Sequence, residues 1–120
     1  MSDLRFLIDE NAPHSIGDQL RLRQPDLIVQ NVGDGQAPPL GTPDPDLLLW
    51  MEREGVCLVT RNRSSLPRHL RDHLASGHHA PAIFTLRSGA SLIDVIDDLL
   101  LIYAAAKPDE YQDQIAYVPL

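Results

Sequence analysis

A chain of 120 residues is the size of one domain, enough for a single core and too short for two. Its apolar share of 43% and charged share of 22% are ordinary for a globular protein, and its longest apolar run, Leu99 to Ala106, falls far short of the roughly 18 residues of a membrane span. A net charge of −7, from 17 acidic against 10 basic side chains, argues against nucleic-acid binding by broad phosphate neutralisation; any such binding needs a local basic patch and metal ions at an acidic site.

Leu4 to Ile8 reads as a first strand that stops abruptly on Asp9-Glu10-Asn11. Beyond Pro13, His14 to Arg23 carries Ile16 and Leu20 on one face and reads as a helix closed by Gln24-Pro25, since proline cannot continue it. Asp26 to Val32 reads as a second strand. The 11 residues from Gly33 to Pro43 are dense in Gly and Pro, long enough for a functional loop. Asp44 to Glu54 follows as a helix with acids at its dipole-favoured start, an apolar face from Leu47, Leu48, Trp50 and Met51, and Gly55 as its stop. Val56 to Thr60 is nearly unbroken in its apolar character, the mark of a central strand covered on both faces. Leu66 to Ala75 reads as a short helix and Pro81 to Leu86 as a fourth strand. Ser91-Leu92-Ile93-Asp94 has capping-box spacing and opens an amphipathic helix to about Ala106, with Asp94, Asp97 and Asp98 on its solvated face. Ile115 to Val118 reads as a last strand at the sheet's edge. This alternation implies a single α/β domain over residues 1–120, with a mostly parallel sheet between helices.

Open α/β sheets place ligands at the carboxyl ends of their strands, which singles out Asp9, the acidic start at Asp44, and Arg61-Asn62-Arg63. Carboxylates brought together there suit Mg²⁺ or Mn²⁺, hard cations that favour oxygen ligands. Asp9 is the first candidate ligand, against the plain alternative that it caps the following turn. Glu10 is the weaker one, because adjacent strand residues point to opposite faces. Asp44 suits a helix start whatever the protein does. Asn62 stands where a third carboxylate would serve a metal best, but an amide carries no charge. Arg61, Arg63, Arg68 and Arg71, with His69 and His73, form the one local basic cluster.

Other groups invite plainer readings. Adjacent His78 and His79 point in different directions and have no partner at a recognisable ligand spacing, so a solvated turn is expected. Ser64-Ser65 near His69 lacks a nucleophile-elbow pattern, and Gly33-Asp34-Gly35 lacks the Lys-Ser/Thr of a phosphate-binding loop. Cys57, the one cysteine, falls in a buried strand and reads as a core residue. Met1 to Arg5 lacks the pattern of a secretory signal, so the cytoplasm is the expected compartment.

Taken together, Phe6-Leu7-Ile8-Asp9-Glu10-Asn11, Asn31-Val32-Gly33, Gly41-Thr42-Pro43-Asp44-Pro45 ahead of a helix with Trp50, Leu58-Val59-Thr60-Arg61-Asn62, and the tail from Ile93 to Leu120 resemble the short PIN-like proteins. That group is a single-domain branch, of uncharacterised function, of the PIN nuclease superfamily, encoded in bacteria beside a small antitoxin-like gene. The resemblance spans nearly the whole chain. It implies a Rossmann-like three-layer α/β/α sandwich with a Mg²⁺ or Mn²⁺ site at the sheet's carboxyl edge. Asp9 matches the aspartate of the family's D-E-N motif and Asp44 the acid opening the second helix. Asn62 falls where the family usually carries aspartate.

On this resemblance the expected function is a metal-dependent endoribonuclease, the toxin of a toxin–antitoxin pair. Asp9 and Asp44 would hold the metal, Glu10 and Asn62 would assist, and Arg61 or Arg63 would contact RNA phosphate. A small antitoxin protein and a second copy of the chain are the implied partners. The alternative is a catalytically silent PIN-like module that binds protein or nucleic acid, which Asn62 and the acidic balance favour.

Overall fold

The computed structural model describes residues 4–61, 63–107 and 109–120. Strands β1 (Phe6–Ile8), β2 (Val29–Asn31), β3 (Cys57–Thr60), β4 (Ile83–Leu86) and β5 (Ile115–Val118) alternate with helices α1 (His14–Arg23), α2 (Asp44–Glu54), α3 (Leu66–Ala75) and α4 (Leu92–Ala105). The strands form one sheet in the order β2-β1-β3-β4-β5, every neighbouring pair parallel. This is a Rossmann-like α/β fold.

Local chemistry explains the element ends. Gly55 closes α2 in the left-handed region at φ 69°, with its N–H on the Met51 carbonyl. The Ser91 hydroxyl accepts the Asp94 N–H at 3.2 Å and so caps α4. The second strand is shorter than the apolar run suggests, because Leu27 N–H turns back to the Gln24 carbonyl at 3.0 Å and takes Asp26 and Leu27 out of the ladder.

Strand alternation divides the core in two. Phe6, Ile8, Cys57, Val59 and Phe84 face one side, where α1 and α4 bring Ile16, Leu20, Val95 and Leu99. Leu7, Leu58 and Ile83 face the other, under Leu47, Leu48 and Met51 of α2 and Leu66 and Leu70 of α3. Cys57 lies in the first of these layers, and burial pushes its thiol up to about 11, which leaves it inert at neutral pH. No helix among the described residues is long and apolar enough to cross a membrane.

One connection departs from the usual handedness. The β1-to-β2 and β4-to-β5 steps run in opposite directions across the sheet, yet α1 and α4 cover the same face. Their crossovers therefore have opposite hands. The steps made by α2 and α3, on the other face, agree in hand with that of α1. Since parallel connections are almost always right-handed, β4-α4-β5 is the left-handed one. It leaves β4 and β5 without a helix of their own on the α3 side.

Candidate active site

Strands β1 and β3 are neighbours, but the chain leaves them toward opposite edges of the sheet. Their carboxyl ends thus flank a topological switch point, where such folds form a ligand crevice. Asp9 follows β1 directly, and its N–H on the Val59 carbonyl at 2.8 Å extends the β1–β3 ladder by one bond. Its side chain is fully buried, so the carboxylate requires partners. It has them: Oδ2 accepts from the Thr60 hydroxyl at 2.7 Å and Arg63 Nε at 2.5 Å, while Oδ1 accepts from the Glu10 N–H at 2.8 Å and Arg63 Nη2 at 3.1 Å.

Asp44 reaches the same point from the first position of α2. No side-chain cap is made there; instead its carboxylate accepts from Arg63 Nη1 through Oδ1, and from Ser65 Oγ at 2.6 Å and His69 Nδ1 at 2.9 Å through Oδ2. Burial raises its pKa, but the hydrogen bonds from Ser65, His69 and Arg63 outweigh burial and hold the carboxyl below its ordinary value. The hydrogen bond to Asp9, opposed by burial and reinforced by Asp44, raises the Arg63 pKa further above its already high ordinary value. A single guanidinium therefore spans two buried carboxylates drawn from different elements.

Glu10 lies at the rim, its Oε1 accepting the Gly41 N–H at 2.9 Å and standing 3.9 Å from Arg63 Nη2. It ties the long loop before α2 to the end of β1. Asn11 Oδ1 accepts the Arg61 N–H at 3.1 Å and lies 3.1 Å from the Thr60 hydroxyl, so it braces the two strand ends against each other. Arg61 is exposed. Asn62 lies outside the described residues. The structure thus brings Asp9, Asp44, Glu10 and Arg63 together, with Arg63 between the acids.

Thr60, Ser65 and His69 complete the site without having been singled out for it. Ser65 donates to Asp44 and not to His69, which separates the pair from a serine-nucleophile arrangement. The available signal was spacing: Ser65 and His69 are four apart at the start of α3, whose first turn lies beside that of α2.

Beside Arg63 a groove of about 460 Å³ runs between α3 and the β4–β5 surface, lined in part by Thr60, Ser64, Thr85, Ser88 and Tyr117. The Arg87 guanidinium lies 5.3 Å from the centre of the exposed Tyr117 ring. Comparison of the chain with protein-family models, with curated proteins and with solved structures finds no match in any of the three.

Proposed function

We propose that the protein is a metal-dependent endoribonuclease of the PIN-like class, with Asp9 and Asp44 as ligands of Mg²⁺ or Mn²⁺. The observation that carries the reading is the convergence of two buried carboxylates on one cation at the switch point of the sheet. The guanidinium stands where a positive charge is favoured, and an all-oxygen donor set suits a hard divalent ion. When bound, such an ion activates a water and neutralises charge on the phosphate under attack.

The chain's own residues have separable tasks in this reading. Thr60 and the Glu10 N–H aim Asp9, while Ser65 and His69 aim Asp44. Glu10 orients the attacking water from the rim, and Asn62, outside the described residues, assists it. Arg63 neutralises the acids that would hold the ion, and with the ion bound its guanidinium would be available to the substrate phosphate. Arg61 adds a second phosphate contact. The adjoining groove takes the flanking nucleotide, with Tyr117 as a stacking surface. A small antitoxin protein that masks this edge, and a homodimer, are the partners this reading carries.

A second reading is a catalytically silent PIN-like binding module. It is favoured by Arg63, which already satisfies both acids, and by the net charge of −7. The deciding experiment is a Mn²⁺ titration of wild type, Asp9→Asn and Asn62→Asp, followed by incubation of each with a mixed RNA pool. Mn²⁺-dependent cleavage by wild type that disappears in Asp9→Asn supports the nuclease. Absence of saturable binding and of cleavage in both wild type and Asn62→Asp rejects it in favour of the binding module.

A further inference from the structure

The opposite edge of the sheet, where the strands begin and the helices end, holds a second cluster. Glu52 sits two residues before the end of α2 and His73 two residues before the end of α3. These helices are packed neighbours, so their last turns meet. Past Gly77, which turns the chain at φ 88°, His78 folds back onto the same spot. Glu52 Oε1 lies 3.1 Å from His73 Nε2 and 2.9 Å from His78 Nδ1, and the three atoms all lie within 4.8 Å of one another. The imidazoles stack at 4.8 Å between centroids. The expectation of a solvated turn at His78-His79 is therefore replaced, for His78, by a packed cluster.

We propose that Glu52, His73 and His78 form a binding site for a divalent transition-metal ion, Zn²⁺, distinct from the acidic site at the other edge. Two imidazole nitrogens and one carboxylate oxygen are a donor set that Zn²⁺ accepts, and its bonds of about 2.0–2.2 Å put tetrahedral ligand atoms about 3.3 Å apart. The two spacings to Glu52 need to open by only a few tenths of an ångström, and the two imidazole nitrogens lie within 4.8 Å of each other. The carboxylate is also pre-aimed: the His79 N–H holds Glu52 Oε2 at 3.1 Å, freeing Oε1 for the ion.

His73 Nε2 also lies 3.0 Å from the His79 carbonyl, so binding requires its proton to move to Nδ1. The negative ends of the α2 and α3 dipoles point at the cluster and favour a cation. His78 and Glu52 are accessible, at 44% and 33% side-chain exposure, so an ion can enter and a fourth position stays open to water or a partner's ligand. The ion would clasp α2 and α3 to the start of β4.

The test is a Zn²⁺ titration by calorimetry on untagged, chelator-treated full chain, with Co²⁺ absorption as a spectroscopic check. Asp9→Asn, which lacks a ligand of the acidic site, is expected to bind one ion per chain and to gain in melting temperature, and wild type to bind at least one. His78→Ala and Glu52→Gln are expected to lose at least about a hundredfold in affinity, the upper end of what losing a mere supporting partner costs. Both positions are partly exposed, so both variants fold, which the unchanged circular dichroism spectrum checks. Failure of wild type to bind Zn²⁺ at micromolar concentration, or affinity within threefold of wild type in either variant, overturns the proposal.

Discussion

Replacing Arg63 by Met removes the shared cation while keeping the length of the side chain. The Arg63, Asp9 and Asp44 side chains are 16%, 0% and 4% exposed, so the change strands two charges away from water. Breaking a buried pair by removing one partner costs about 3–5 kcal/mol. Here Asp9 keeps the Thr60 hydroxyl and the Glu10 N–H, and Asp44 keeps Ser65 and His69, which places the cost near the lower end, about 3 kcal/mol. For a chain of this size that is roughly 10–15 °C in melting temperature. Urea denaturation at pH 7 measures it, and the gap to wild type is expected to narrow in acid. The sign follows from Asp44: its folded pKa lies below the ordinary 3.8, so its contribution is complete above 3.8 and is lost as pH falls through the folded value. Mn²⁺ at about a hundred times its dissociation constant should return about 2.7 kcal/mol to Arg63→Met, and less to wild type, where the ion must displace the guanidinium. A loss below about 0.5 kcal/mol at pH 7, the scale of ordinary surface changes, would refute the account of Arg63 as the cation that holds the two acids.

Three further outcomes follow from the core and the far edge. Phe84 is fully buried and meets Phe6 and Tyr111 edge-on at 6.1 Å and 5.5 Å, so Phe84→Ala is expected to cost about 3–5 kcal/mol in denaturant titration. Cys57, with its thiol near 11, should resist iodoacetamide at pH 8 in the folded chain and react at once in urea, as mass spectrometry would record. His79 Nδ1 lies 2.8 Å from Asp113 Oδ2, and this hydrogen bond raises the imidazole above its ordinary 6.5. The stability it brings is complete below 6.5 and is lost as pH rises through the folded value. An NMR titration should show the raised midpoint, and Asp113→Asn should bring it back toward 6.5.

Helices were legible wherever punctuation marks both ends. Pro13 and Pro25 bracket α1, and the Asp44 start and Gly55 bracket α2, so their spans match the reading residue for residue. The strands were read too long at β1, β2, β3 and β4, because an apolar run says that a segment is buried but not where ladder bonds begin. That Asp9 and Asp44 meet at one edge was legible because each sits at an element's end there. Arg63 was read as a phosphate contact at the same edge and not as the cation between the two acids, since it comes from a loop whose path no periodicity describes. The Glu52–His73–His78 cluster was hidden differently: its members are distant in sequence and close only because two adjacent parallel helices end at the same level. Reading helix ends against each other, and not only strand ends, would have exposed it.

The reversed hand of the last crossover bears on how a polymer could approach the acids. Had α4 swung to the other face, its apolar side would lie over Ile83 and Ile115, and the floor of the groove would be ordinary core. Its actual position leaves an open corridor from the sheet's β5 margin to Arg63. On the proposed nuclease reading, an RNA strand entering from that side would pass Tyr117 and Ser88 before meeting the two carboxylates. Ser88 of the turn between β4 and α4 lines that groove, so lengthening this turn would narrow access without touching any residue at the acids.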